Sequence, residues 1–303
     1  MVDAEKIRTM NYYQIIEYLT AIKAVPELYI FNLLIKKSPD YDTALNWYNR
    51  ILPIKTPDSA TFTFMLLKTR DYETALKWFS LIKNVNCELR IVAAKRLIGL
   101  SPNYHTAYSW YQNLLDEKCE PTEDVYLKLL LKSPDYATAS KWLEKIKDPN
   151  GIFNIESYNI MINKAPDYAT ALGWYNKIEE GKGNTKTFNA ISYKATDYDT
   201  ALFWSKKIMY RIISSNTFNN LIRLSPDYET AIATYEQMDE KQVTDTTYNQ
   251  LLVKAFAYAD AVYWYKKMKK ENVWTLGYNI LIRLSPTYNV ALEWFKLIDE
   301  KKY

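Results

Sequence analysis

Along most of the chain, apolar side chains recur three, four and seven residues apart, with polar residues between them. That is the period of an amphipathic helix. The clearest instance follows a tyrosine that returns at Tyr41, Tyr72, Tyr104, Tyr136, Tyr168, Tyr198, Tyr228, Tyr258 and Tyr288, at intervals of 30 to 32 residues. After most of these the pattern is Tyr-x-x-Ala-x-x-Trp-aromatic-x-x-aliphatic, as in Tyr41, Ala44, Trp47, Tyr48 and Ile51. This segment is termed helix B. Ten residues before the tyrosine stands a second aromatic (Phe31, Phe62, Tyr126, Tyr158, Phe188, Phe218, Tyr248, Tyr278), with Ala94 breaking the series. Apolar residues three and four positions later, such as Leu221 and Ile222 after Phe218, predict a shorter helix A.

A fixed period of this length predicts an all-α fold, a right-handed α-solenoid of about nine helix-turn-helix repeats. Residues 28–303 form the repeats, and residues 1–27, with a degenerate copy at Tyr12, Ile15, Ile16, Tyr18 and Leu19, form an N-terminal cap. Ser38, Ser101, Ser133, Ser225 and Ser285 stand before Pro and are expected to cap helix B, leaving a residue or two between the helices. Thr61, Ser157, Thr187, Thr217 and Thr247 are expected to cap helix A. The Trp series widens the apolar face of helix B, which has two neighbours to pack against. Packing explains these indoles better than a stacking platform for ligands does.

Six Gly and eleven Pro are too few for a disordered chain. No apolar run is long enough for a membrane span, and the first residues do not read as a leader. Cys87 and Cys119 each lie 15 residues after a landmark tyrosine, so they occupy equivalent points of neighbouring repeats. They are expected to stand too far apart for a disulfide, as free thiols of an intracellular, reducing compartment. His105 has no Cys or His cluster around it. No phosphate loop, metal-ligand set or nucleophile–base pair is apparent, so no catalytic residue, metal, cofactor or small-molecule substrate is expected.

Thr217-Phe218-Asn219-Asn220-Leu221-Ile222 with Ala231, Tyr235 and Met238, and Thr247-Tyr248-Asn249-Gln250-Leu251-Leu252 with Ala261, Tyr265 and Met268, resemble the pentatricopeptide repeat. The resemblance covers residues 28–303, although these repeats are shorter than the family's and their Ser-Pro-Asp-Tyr junction is not its usual one. It implies a non-catalytic binder of single-stranded RNA, one base per repeat, in a groove lined by helices A. The polar residue after the helix A aromatic would choose the base, with a second residue at the end of the repeat. By that register the first position holds Asn32, Thr63, Lys95, Leu127, Asn159, Asn189, Asn219, Asn249 and Asn279. Its partners are Asp58, Arg90, Thr122, Asn154, Asn184, Ser214, Thr244 and Trp274. Asn with Asp, Asn or Ser resembles the family's pyrimidine-reading pairs, whereas Thr63, Lys95 and Leu127 with their partners resemble no code. Reading is therefore expected mainly in the C-terminal five repeats. Asparagine near a helix start also bonds free backbone N–H groups, which would account for some of the six.

Net charge is only +4, yet the nine helix A segments hold thirteen Lys or Arg against four acids, a net of +9 that leaves −5 elsewhere. That distribution suits a polyanion, although cations also favour helix C-termini. Lys36, Arg223 and Arg283, four residues after an Asn, would share its face and contact the RNA backbone. A solenoid scaffold holding a protein or peptide in the same groove is the alternative, and exposed aromatics such as Trp274 would suit it.

Overall fold

The computed structural model describes residues 4–22, 26–146, 154–208 and 213–300, so residues 1–3 and 23–25 of the predicted cap lie outside the described residues. The chain divides into two compact units, Met1–Ile152 and Phe153–Tyr303. The first holds α1 (Ala4–Thr9), α2 (Tyr12–Ile22), α3 (Leu28–Lys37), α4 (Tyr41–Ile51), α5 (Ser59–Lys68), α6 (Tyr72–Phe79), α7 (Cys87–Leu100), α8 (Tyr104–Asp116), α9 (Glu123–Lys132) and α10 (Tyr136–Leu143). The second holds α11 (Ile155–Lys164), α12 (Tyr168–Tyr175), α13 (Thr185–Lys194), α14 (Tyr198–Lys206), α15 (Ser215–Leu224), α16 (Tyr228–Tyr235), α17 (Asp245–Lys254), α18 (Tyr258–Lys266), α19 (Thr275–Leu284) and α20 (Tyr288–Glu300). Each unit is an α-solenoid of the expected helix pairs, and no strand occurs among the described residues.

Within a unit, each helix B packs on its own helix A and on the next one, as α14 does on α13 and α15. The alanine three residues after the landmark tyrosine sits at the closest approach, and Ala44, Ala75, Ala107, Ala139, Ala171, Ala201, Ala231 and Ala261 are fully buried. The tryptophans fill the adjoining space. Within a unit, indole N–H groups donate to the landmark tyrosine of the preceding repeat. Trp78 reaches Tyr41 at 3.1 Å, Trp142 reaches Tyr104 at 2.9 Å, Trp204 reaches Tyr168 at 2.8 Å and Trp264 reaches Tyr228 at 2.7 Å. The same rings stack on the helix A aromatic, as Trp204 does on Phe188 at an interplanar angle of 19°.

The helix B caps lie two residues later than expected, and the helix A caps three residues earlier. The serines end helix A, where the Ser38, Ser101, Ser133, Ser225 and Ser285 hydroxyls donate to a carbonyl four residues back at 2.7–2.9 Å. Helix B is capped instead by the residue directly before the tyrosine. Asp40, Asp71, Asn103, Asp135, Asp167, Asp197 and Asp227 each accept the backbone N–H of a threonine three residues on, at 2.7–2.9 Å. The link is therefore three residues, as in Ser38-Pro39-Asp40, because the proline forces extended backbone before it and the aspartate must remain outside the helix to cap it.

Donation by the threonine N–H holds the pKa of Asp40, Asp71, Asp135, Asp167, Asp197 and Asp227 below the usual carboxylate value. A carboxylate depressed on folding stabilises the fold above its unfolded pKa, near 4, and loses that contribution as pH falls through the folded value. The thermal midpoint should thus be level above about pH 5 and decline below about pH 4. Asparagine at all six positions should shallow that acid limb in a circular dichroism series. An unchanged limb would count against the caps as its source.

Cys87 and Cys119 form a disulfide, with Cα atoms 5.2 Å apart, so the expectation of free thiols fails and the inferred reducing compartment loses its basis. The two are not equivalent in three dimensions. Helix α7 has 14 residues where most A helices have 10, so Cys87 is its first residue. Helix α8 closes on Lys118 in the left-handed conformation, φ 57°. The N–H groups of Lys118 and Cys119 return to the Leu115 and Leu114 carbonyls at 2.9 Å, a Schellman closure that turns the chain back toward the start of α7. Arg90 and Glu117, 2.5 Å apart, join the same two elements. No described helix is long and apolar enough to cross a membrane.

Candidate nucleic-acid interface

The asparagine series lies in the second turn of helix A, and the register partners are the N-cap residues of the following helix A: Asp58, Thr122, Asn154, Asn184, Ser214, Thr244 and Trp274. Arg90 is the exception. The four extra residues of α7 make Asn86 the cap and place Arg90 inside the helix, against Glu117.

Most of the asparagines are buried, and their amides bridge successive helices A. In the first unit Asn32 donates to Asp58 at 3.1 Å and accepts from the Thr61 hydroxyl at 2.6 Å. In the second unit Asn159 donates to Asn184 at 3.2 Å and accepts from the Thr187 hydroxyl at 2.6 Å. Asn189 accepts from the Ser214 backbone at 2.8 Å and the Thr217 hydroxyl at 2.7 Å, and Asn219 accepts from the Thr247 hydroxyl at 2.8 Å. Asn249 is completely buried. It donates to the Asp245 and Asn272 carbonyls, both at 2.9 Å, and its oxygen accepts the Trp274 N–H at 2.8 Å. Asn279, in the last helix A, is exposed.

The N-cap partners face outward. Asp58, Asn184 and Thr244 are exposed and Ser214 is half-buried. The structure thus brings together the expected pairs Asn32–Asp58, Asn159–Asn184 and Asn189–Ser214, and shows a third member of each group. Thr61, Thr187, Thr217 and Thr247 are fully buried. They lie one turn inside the helix, as the residues whose backbone N–H the cap receives, and not at the cap itself. The signal for their role was a coincidence of spacing: a hydroxyl residue follows each of Asn32, Asn159, Asn189 and Asn219 by 28 or 29 residues. After Thr63 and Lys95 the corresponding residues are Ala93 and Val125. There the ladder is broken. Thr63 turns its hydroxyl to the Ser59 carbonyl at 2.7 Å, and Lys95 pairs with Asp124 at 2.7 Å.

Much of the helix A cationic charge is engaged in the repeat junctions. Lys68, Lys132, Lys194 and Lys254 donate to the carbonyl of the residue ending the preceding helix A, at 2.5–2.6 Å to Ser38, Ser101, Ala165 and Ser225. Partial burial lowers the Lys68, Lys194 and Lys254 pKa values from their ordinary range. Where leucine takes that position, another side chain does the same task. Arg96 donates to the Thr69 carbonyl, and Asn220 donates to the Ala195 carbonyl at 3.4 Å. These cations neutralise the negative helix ends. Of the expected backbone contacts, Lys36 is exposed with its ammonium 5.4 Å from the Phe64 ring centre. Arg283 is exposed. Arg223 is exposed but is oriented by Asn220, whose oxygen accepts from it at 2.7 and 3.2 Å.

No family model matches the sequence, and no curated protein matches it. Among solved structures the chain is similar to the pentatricopeptide repeat protein PPR10 from maize, with 14% identity over 95% of this chain and 51% of that one, at a TM-score of 0.42. It is also similar to PPR10 in complex with an 18-nt psaJ RNA element, with 16% identity over 99% and 48% of the two chains, at a TM-score of 0.33. The chain spans about half the length of these structures.

Proposed function

We propose that this chain is a sequence-selective binder of single-stranded RNA that acts without catalysis and reads about one base per repeat. The observation that supports this most is the set of polar N-cap side chains Asp58, Asn184 and Ser214, each bonded to an asparagine of the preceding helix A through its side chain or backbone. An amide has two donors and two acceptor lone pairs, so Asn32 and Asn159, with one N–H given to the cap residue and one bond accepted from the threonine, keep capacity for a base. Unstacked bases offer their Watson–Crick edges to such groups. The Asp58 carboxylate only accepts, which favours a base edge carrying a donor, and Asn184 offers both kinds of group. The reading pairs are Asn32–Asp58, Asn159–Asn184, Asn189–Ser214 and Asn219–Thr244, with Asn279 at the end of the series. Asn249 serves by holding the Trp274 backbone. Lys36, Arg223 and Arg283 lie along the path of the phosphates, and a pyrimidine bias is what the resemblance of these pairs to the pentatricopeptide repeat implies.

Fluorescence anisotropy with pyrimidine-rich and purine-rich single strands tests this. Binding at low salt should favour pyrimidines and weaken as salt rises. Each of Lys36→Gln, Arg223→Gln and Arg283→Gln should reduce the log–log salt slope by about 0.7, the value for one phosphate contact on a single strand. Asn184→Ala should alter preference at one base only. Absence of binding at low salt would overturn the proposal, and capture of a peptide with no RNA bound would favour a protein ligand.

A further inference from the structure

The geometry points to the buried threonine of helix A as the positioning residue for base selection by the preceding repeat, a role that rests on the RNA reading above. Thr187 shows the logic. Its oxygen accepts the Asn184 backbone N–H at 3.1 Å, and of the two acceptors in reach of its single hydroxyl proton Asn159 Oδ1, at 2.6 Å, is nearer than Asn184 Oδ1, at 3.2 Å. Thr61 is arranged alike, accepting from the Asp58 N–H at 3.2 Å, with Asn32 Oδ1 at 2.6 Å and Asp58 Oδ1 at 2.8 Å as acceptors for its proton. The hydroxyl keeps one proton and one lone pair, and the cap oxygen beside it takes the amide N–H, at 3.2 Å for Asn184 and 3.1 Å for Asp58, so hydroxyl and cap together set the polarity of the neighbouring amide. The amide must turn its oxygen to the threonine and its nitrogen toward the cap residue. An asparagine free to rotate would offer donor and acceptor interchangeably to a base, and its discrimination between base edges would fall. The threonine removes that freedom without touching the ligand.

The pattern inside the chain agrees with the coupling at most positions. Where the ladder position is Thr63 or Lys95, the residue at the threonine's place is Ala93 or Val125, neither able to donate. After Leu127 the place holds Ser157, whose hydroxyl donates to the cap residue Asn154 at 3.1 Å, so a hydroxyl there does not by itself require an asparagine. At Asn249 the place is taken by Gly277, and the amide is oriented by the Trp274 backbone N–H instead. Its nitrogen is then spent on two carbonyls. Orientation and availability are thus separate properties, and the hydroxyl supplies the first without consuming the second.

The experiment compares Thr187→Val, nearly isosteric and without a hydroxyl, with Thr187→Ser, which keeps it, in the full chain. With strands varied at the base assigned to the Asn159 repeat, Thr187→Val should lower the pyrimidine-to-purine affinity ratio about fivefold, the factor associated with one oriented hydrogen bond. Ratios at bases read by other repeats should not change, and Thr187→Ser should restore the ratio. A merely structural role would weaken all bases alike, and that result, or an unchanged ratio, overturns the inference. NMR of the Asn159 side-chain amide gives a readout that needs no RNA. Its protons should exchange faster with water in Thr187→Val than in the parent or in Thr187→Ser. Equal exchange overturns the inference even if RNA binds, whereas an unbound parent with the expected exchange pattern sinks only the RNA reading.

Discussion

Trp204→Ala should destabilise the second unit by about 3–5 kcal/mol, the range for removing a large aromatic from a packed site. The indole is 5% exposed. It stacks on Phe188 at a centroid distance of 6.3 Å, meets Tyr175 edge-on at 4.7 Å, and donates to the Tyr168 hydroxyl at 2.8 Å. Burying a tryptophan removes roughly 150–250 Å² from water, worth about 4–6 kcal/mol at 25 cal/mol/Å². The cavity would open between α13, α14 and the preceding pair, where close-packed helices have little room to relax. Trp204→Phe keeps a ring but leaves Tyr168 without its indole donor, and should cost about 1–2 kcal/mol. The effect is loss of stability and not loss of fold, since the repeat carrying Thr234 at the same place is fully formed. Urea unfolding followed at 222 nm would show it, with the transition of the first unit unmoved. A shift below about 1 kcal/mol for the alanine variant would mean that the tryptophans are not the main fastening between repeats.

Reduction of the Cys87–Cys119 bond should lower the stability of the first unit by about 3.5–4 kcal/mol. The bond spans 32 residues of chain, and closing a loop of that length removes this much freedom from the unfolded state in the chain-entropy description. For a unit of this size the loss corresponds to about 7–15 °C in thermal midpoint. The bond also fastens the junction at which the amide ladder fails, since Lys95 and Val125 stand where the asparagine and hydroxyl would be. The part-buried pair Arg90–Glu117 and the pair Lys95–Asp124 also engage α7 at this junction, but ion pairs near the surface contribute little. A reductant should therefore shift the melting of the parent protein and leave a Cys87→Ala, Cys119→Ala variant, already shifted, unaffected. Equal melting of the parent with and without reductant would contradict this.

The helix pairs were legible from the chain because 3.6-residue periodicity is a local property, and the tryptophans were rightly assigned to packing from the breadth of apolar face that two neighbours demand. The caps were misplaced, by two residues in helix B and three in helix A. Serine, proline and aspartate all favour a helix start, and composition does not say which of them remains outside the first turn. The ladder was found as a run of asparagines, but its burial was not, since position on a helix does not reveal how near the next helix lies.

What the sequence by itself determined is the repeating unit: two amphipathic helices, their order, the short link between them and the period at which tyrosine, alanine and tryptophan recur. Each follows from short-range sterics and periodic burial, which depend on neighbours a few residues away. Only the tertiary structure decided how the polar groups are spent. It joined two cysteines that the register held apart, because one helix begins a turn early and another closes by folding back on Lys118. It turned Lys68, Lys132, Lys194 and Lys254 onto carbonyls of the preceding repeat, and it bound the Asn32, Asn159, Asn189 and Asn219 amides to threonines 28 or 29 residues away. Hydrogen bonds and disulfides depend on ångström-scale approach and direction, and those are set by the packing of whole helices.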